Sequence, residues 1–221
     1  MLNINMVGKN ERISNCLKFY FIAITLKTKI RQGWINWNIS AERLESISEH
    51  IYGTCMLAIS VCSEFESDID IEKVVFMLVL HEIEEIKIGD ITPYDNISKE
   101  EKRISGKQAV EEIFSGLIAG KKYQEYIEEF ELKSSNEAKF AFLCDKLECD
   151  LQAKRYCDEG NAKFENVDSK ILSDKRVISI MDAGAKTVAD IFIEYDKIHY
   201  KGTIFEDIIN FLQEIDTTKI V

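Results

Sequence analysis

A uniformly apolar run that leads into a cluster of charged residues constrains the fold of this chain more than any other stretch. The run VVFMLVL, at 74–80, contains no polar residue, and a helix that is apolar on all its faces is a buried one. The segment LHEIEEIKIGDITP, at 80–93, then carries one histidine, four acidic residues and the only proline. Charged groups are almost never placed at the end of a buried helix unless something pairs with them. Two interpretations remain open: a metal ion bound by imidazole and carboxylate, or a core histidine beside a solvated acidic helix end.

Helical spacing of apolar residues extends over most of the chain. One proline and ten glycines in 221 residues favour long helices, and no alternation of period two persists anywhere. We therefore predict an all-α fold without a β-sheet. The predicted helices cover residues 11–29, 47–62, 71–86, 98–119, 123–131, 138–156, 175–195 and 204–214. N-caps are predicted at Asp70, Ser98, Ser134 and Thr203, the last three as capping boxes with a glutamate three residues later.

Charge and composition exclude several classes of function. A net charge of −11 argues against a nucleic-acid groove, because affinity for phosphate backbones comes mostly from Lys and Arg. This net charge is still compatible with a small phosphate ligand held by one or two cationic side chains. No segment approaches the roughly 18 apolar residues of a membrane span, and the N-terminal stretch lacks the pattern of a signal peptide. The six cysteines form no CxxC pair, so we expect a cytoplasmic, reducing setting.

Polar residues recur on three predicted helices at positions that are otherwise apolar. His50 lies in the first turn of the second helix, His81 and Glu82 end the apolar run, and Asp145 interrupts an apolar stripe. Two imidazoles and two carboxylates leave positions open for water and substrate, as a catalytic metal requires. The alternatives are a structural histidine at position 50 and a salt bridge from Asp145 to a lysine such as Lys146, which points elsewhere on the helix.

Several strings between residues 30 and 156 resemble one family. They are RLESISEH (43–50), HEIEEIKIGDITP (81–93), KEEK (99–102), EAKF (137–140) and DKLECDLQA (145–153). Their order and their H…HE…D pattern are similar to the H…HD…D signature of the HD-domain superfamily of metal-dependent phosphohydrolases, whose core is all-helical. The resemblance is closest to the subfamily of bacterial 5′-deoxynucleotidases and their eukaryotic relatives.

The resemblance implies an HD-domain helical bundle and a set of site residues. The implied core is 30–160, with an N-terminal arm and helix at 1–29 and C-terminal helices at 161–221 packed on the same domain. A divalent metal ion (Mn, Co, Zn, Fe, Ni or Mg) would be held by His50, His81, Glu82 and Asp145. By position, Glu85 would orient or deprotonate the attacking water, Asp90 would lie at the substrate, and Arg31 and Trp34 would lie at the nucleotide. From the residues alone, the favoured interpretation of Arg31 is a surface arginine in a mostly aromatic stretch.

The implied activity is hydrolysis of a phosphomonoester, in particular a (deoxy)nucleoside 5′-monophosphate. Family members of this kind are commonly dimers, and both terminal segments carry apolar stripes, so we expect a homodimer and neither nucleic acid nor membrane as a partner. Glu82 departs from the signature, which has aspartate there. Two alternatives follow: a catalytically weakened HD-fold protein that binds nucleotide or metal as a regulator, or an HD enzyme that cleaves a phosphodiester or another phosphorylated metabolite.

Overall fold

The chain folds into a bundle of helices, seen in a computed structural model that describes residues 8–220. The α-helices are α1 (Lys9–Ala23), α2 (Gln32–Asn36), α3 (Ile47–Glu64), α4 (Ile71–Leu80), α5 (Glu85–Ile88), α6 (Lys99–Ile113), α7 (Gly120–Leu132), α8 (Asn136–Asp158), α9 (Ser169–Leu172), α10 (Lys175–Asp182), α11 (Val188–Tyr200) and α12 (Ile204–Glu214). No strand forms within the described residues, and the predicted all-α fold is confirmed. Residues 1–7 of the predicted N-terminal arm lie outside them.

Helices α3, α4 and α8 form the centre of the bundle, because their apolar faces pack against one another. Ala58, Leu78 and Cys144, one from each helix, are fully buried. Helices α11 and α12 close the same core against α8. The apolar run in α4 packs against α3, α7 and α8, and Val74, Met77, Leu78 and Leu80 are buried. The helix is therefore largely buried, as predicted, although Phe76 and Val79 are 36% and 49% exposed.

Helix α4 ends at Leu80, whereas the prediction extended it to residue 86. Beyond that point the amide of Ile83 donates to the carbonyl of Leu80, and the amide of Glu85 donates to the carbonyl of Glu82. These are i→i+3 bonds, and the tighter 3₁₀ geometry turns successive side chains further than an α-helix does. The turn therefore sets the directions of the charged side chains that follow α4.

The predicted N-caps are confirmed in part. Asp70 caps α4, and Ser98 forms the predicted capping box at the start of α6. Thr203 caps α12 through a backbone amide without completing a box. Helix α8 is capped by Ser135, one residue after the predicted Ser134. Side-chain capping satisfies an otherwise free N–H group, and neighbouring serines can compete for that position.

The predicted helix at 175–195 divides into α10 and α11. Gly184 lies between them with a φ of 115°, a conformation that favours glycine because it has no Cβ. Thr187 and Asp190 then form a capping box that starts α11. No helix within the described residues combines the length and the apolarity that crossing a membrane requires.

An antiparallel bridge between Ile30 and Ser46 holds the segment before α2 against the start of α3. The amide of Arg31 donates to the carbonyl of Glu45 at 3.0 Å. Because Ser46 is the N-cap of α3, this pairing places Arg31 beside the helix turn that carries His50.

Candidate metal centre

Four side chains converge on a common point inside the bundle. His50 comes from α3, Asp145 from α8, and His81 and Glu82 from the turn after α4; each offers one ligand atom, and these atoms lie within 4.8 Å of one another. The Nε2 atoms of His50 and His81 lie 3.1 and 3.6 Å from Asp145 Oδ1. The same two atoms lie 3.9 and 3.5 Å from Glu82 Oε1. The structure thus brings together the four residues that the resemblance implied, and their role as ligands stays a prediction.

The other nitrogen of each imidazole is held by an oxygen atom. His81 Nδ1 lies 2.6 Å from the carbonyl oxygen of Leu78, and His50 Nδ1 lies against a carboxylate oxygen of Glu148. A proton held on Nδ1 in this way leaves Nε2 available to a metal ion. Burial lowers the pKa of His50, but the carboxylates of Glu148 and Asp145 outweigh it and raise that pKa to about 9.

The two carboxylates of the site keep their negative charge. Burial raises the pKa of Glu82, but His81 and Arg31 outweigh it and bring that pKa to about 2. Burial also opposes ionisation of Asp145, but Lys146 and the imidazoles hold the pKa of Asp145 well below its usual range. Metal binding to these residues would release the protons that the imidazoles carry.

A divalent metal ion fits this set of donors. His81 Nε2 is buried and has no hydrogen-bond partner among residues 8–220, although it faces two carboxylates. A buried polar atom without a partner is destabilising, and a cation at the common point would pair it. Two imidazole nitrogens with two carboxylate oxygens suit Zn, Fe, Mn or Co.

Glu85 lies next to these residues at the start of α5. Its side chain is buried, with the residue 2% exposed, and its Oε2 has no hydrogen-bond partner in the described part of the chain. Burial and the nearby charges of Glu82 and Asp90 raise the pKa of Glu85 to about 12. A cation beside Glu82 would oppose this shift, because a bound metal ion is the largest local charge in such a site.

Arg31 and Asp90 lie beside the same site. Arg31 Nη1 is 3.3 Å from Glu82 Oε1, and Arg31 Nη2 is 3.8 Å from Cys149 Sγ. Asp90 accepts the backbone amide of Gln32 at 2.6 Å, which satisfies a free N–H group at the start of α2. Asp90 therefore anchors the segment that carries Arg31, and its predicted contact with the substrate stays a prediction.

Trp34, which was predicted to lie at the nucleotide, is in the core. It is 1% exposed, and its indole N–H donates to a carboxylate oxygen of Glu45 at 2.8 Å. Tyr156 and Phe192 pack against its ring. Burial of a large ring with its N–H bonded is strongly stabilising, so the structure leaves no open ring face here for a base.

One residue of the site was missed at the level of sequence, and another was placed differently. Lys146, named from the sequence as a possible salt-bridge partner of Asp145 that points elsewhere on the helix, has its Nζ 3.5 Å from Asp145 Oδ2. Glu148 contacts His50 across the bundle. Its spacing from Asp145 was an available signal, because residues three apart share a helix face.

The fold and the site define the class of protein to which this chain belongs. The profile of the HD-domain family matches residues 23–188, and the chain belongs to that family. The HD domain is that of metal-dependent phosphohydrolases, so the predicted resemblance and the predicted class of enzyme are confirmed.

Individual relatives agree with this assignment. The chain is 37% identical over 151 residues to a 5′-deoxynucleotidase HDDC2 of Dictyostelium discoideum, a match that covers 65% of this chain and 78% of that protein. It is 33% identical over 158 residues to the Bos taurus protein of the same name, covering 71% of this chain and 74% of that one. The crystal structure of the PH0347 protein from Pyrococcus horikoshii OT3 superimposes with a TM-score of 0.65 at 22% identity, covering 92% of this chain and 99% of that one. This last likeness concerns the fold alone.

Proposed function

We propose that this chain removes the phosphate from (deoxy)nucleoside 5′-monophosphates. The observation that carries the proposal is the convergence of two imidazoles and two carboxylates within 4.8 Å, with the buried Glu85 beside them. The choice of substrate rests on relatives that are named 5′-deoxynucleotidase and are 33–37% identical to this chain.

His50, His81, Glu82 and Asp145 would hold one divalent metal ion. When bound, such an ion polarises a phosphoryl oxygen and lowers the pKa of coordinated water. The buried imidazoles, each fixed through Nδ1, keep this centre rigid and exclude water from its inner side.

The other side chains of the site would bind and activate the reactants. Glu85 takes the proton of the attacking water, because it is a buried carboxyl beside Glu82 with an oxygen that no described residue bonds. Arg31 and Lys146 each pair with one of the two carboxylates, at 3.3 and 3.5 Å. Once those carboxylates hold a cation, these two side chains are placed to neutralise the phosphate, for which Arg and Lys are suited. Asp90 keeps Arg31 in position through the start of α2.

A panel of phosphate esters tests the proposal. The purified chain would be loaded separately with Mn, Co, Zn, Fe, Ni or Mg and given 5′- and 3′-monophosphates of ribo- and deoxynucleosides together with cyclic nucleotides. We expect metal-dependent phosphate release from deoxynucleoside 5′-monophosphates. Tight binding without turnover would favour the regulatory alternative, and cleavage of cyclic nucleotides would favour a phosphodiesterase.

Substitution of Glu82 tests the one departure from the family signature. Its carboxylate stands one methylene further from the backbone than aspartate would, so the ion must shift or bind less regularly. We expect Glu82→Asp to raise metal affinity or turnover. We expect Glu82→Ala to lower metal affinity by at least the ~10–100-fold that is typical of outer partners of a metal site. Metal titration and turnover under one set of conditions measure both effects. If Glu82→Ala equals wild type, the ligand set reduces to His50, His81 and Asp145.

We also propose that the chain forms a homodimer. No residue of helix α1 is fully buried, and Ile13, Leu17, Tyr20 and Phe21 on it are 46–60% exposed. A contiguous exposed apolar surface of this kind marks an interaction site. Light scattering at micromolar concentration should give twice the chain mass of 25.5 kDa, and Leu17→Glu should reduce it to the monomer value. A wild-type mass of one chain would contradict the proposal.

A further inference from the structure

Glu148 occupies a buried position directly behind the candidate metal centre. It lies on α8, is 8% exposed, and its Oε2 contacts Nδ1 of His50. The opposite nitrogen of the same ring, Nε2, lies 3.1 Å from Asp145 Oδ1. The imidazole of His50 therefore lies between two carboxylates of α8, with Glu148 behind the ring and Asp145 at the common point.

Space for Glu148 is provided by a glycine on the facing helix. Gly53 lies three residues after His50 on α3, so both face the same side. A Cβ at Gly53 would overlap Glu148 Oε1 and would lie 3.0 and 3.1 Å from Glu148 Cδ and Cγ. Glycine destabilises a helix interior relative to alanine, and here its lack of a side chain creates the notch that admits the carboxylate.

The surroundings of Glu148 add to the cost of burying its charge. The carboxyl of Glu45 offers an oxygen within 4.8 Å of ligand atoms of both His50 and Glu148. Two carboxyls this close in a buried site need a partner, and buried ion pairs seldom stabilise a fold by themselves. The imidazole is the partner that offsets this cost, so the contact acts on the orientation and the protonation of the ring.

We propose that Glu148, seated in the notch at Gly53, is the positioning residue that holds His50 with its Nε2 directed at the metal. A carboxylate behind a metal-binding histidine fixes the proton on the far nitrogen and raises the basicity of the near one. This inference rests on the proposed function, since it takes His50 as a ligand. It adds a residue pair, Glu148 and Gly53, that neither touches the substrate nor binds the ion.

Two substitutions disturb the contact from opposite sides. Glu148→Gln keeps the shape of the side chain but removes its charge, and its amide can donate to Nδ1 and so favour the wrong tautomer, as happens when a carboxylate behind a catalytic histidine becomes an amide. Gly53→Ala leaves Glu148 intact but pushes it out of the notch. Agreement between the two separates the loss of the contact from a local failure to fold.

The first readout is nuclear magnetic resonance of chelator-treated protein with ¹⁵N-labelled histidine. The chain has three histidines, which keeps the spectrum simple. We expect a downfield, slowly exchanging Nδ1 proton for His50 in wild type that shifts or disappears in both variants. The Nδ1 proton of His81, which is bonded to a backbone carbonyl, should stay unchanged and serves as the internal reference.

The second readout is metal affinity by titration. We expect Glu148→Gln and Gly53→Ala each to weaken binding by about 10–100-fold, as loss of an outer partner does, and the double variant to be no worse than the stronger single one. Gly106→Ala is the matched control for the glycine, because its Cβ would meet a side-chain atom at an ordinary 3.5 Å. Glu159→Gln, at the end of α8, is the control for the glutamate.

Each outcome decides the inference. An unchanged His50 signal in both variants, or a changed signal with wild-type metal affinity, would overturn it. Failure of the proposed function would appear as a wild-type chain that binds metal but releases no phosphate. The inference would still stand in that case if both variants bind metal more weakly than wild type. A wild-type chain that binds no divalent ion would overturn both.

Discussion

Replacing Glu85 with glutamine should lower turnover by about 10²–10⁴-fold while leaving metal binding intact. That range is the usual contribution of general acid–base catalysis. Glutamine preserves the shape of the buried side chain but cannot take a proton from water. Steady-state turnover of the best monophosphate, together with metal analysis of each preparation, measures the effect.

Glu84 provides the control for this substitution. It is a neighbouring buried glutamate in the same turn, 9% exposed; it packs near Gly106 of α6 and contributes no atom to the converging group of ligand atoms. Glu84→Gln should therefore keep turnover near the wild-type value. If Glu85→Gln also keeps it, with metal retained, Glu85 is only a buried carboxyl at the start of α5 and another group must accept the proton.

Asp145→Asn should abolish metal binding at the centre and, with it, the stabilisation that metal provides. The substitution removes the charge that faces both imidazoles, at 3.1 and 3.6 Å, so the loss of affinity should exceed the ~100-fold upper range for outer partners. A ligand at one hundred times its Kd stabilises the folded state by about 2.7 kcal/mol. For a chain of this size each kcal/mol raises Tm by about 2–4 °C. Metal added at one hundred times its Kd should therefore raise the wild-type Tm by about 5–11 °C.

Thermal unfolding with added metal and with chelator measures this difference. Asp158→Asn, on the same helix, serves as the control: Asp158 bonds Lys154 and Thr217 and lies apart from the four converging residues. It should lower Tm with and without metal alike, leaving the metal-dependent rise intact. A metal-dependent rise that survives in Asp145→Asn would show that the ion binds elsewhere.

Local patterns in the sequence were sufficient for the main helices of the bundle and for the choice of converging residues. Asp145 was found because it interrupts an apolar stripe, and His81 because it ends an apolar run. The same reasoning placed the end of α4 six residues too late, because helical spacing does not distinguish i→i+4 from i→i+3 bonding over a single turn. The resemblance to the family placed Trp34 at the nucleotide, whereas Glu45 and two aromatic rings hold its indole in the core.

The sequence by itself determined the all-helical class, the family and the four residues that converge, because these depend on periodicity and on short strings along the chain. Only the tertiary structure decided how those residues are supported. Glu148 reaches His50 across 98 residues of sequence, the notch that admits it is at Gly53, and the Ile30–Ser46 bridge brings Arg31 to Glu82. Each of these contacts depends on how closely two helices or segments approach one another. That distance is set by packing across the whole bundle, and no local pattern encodes it.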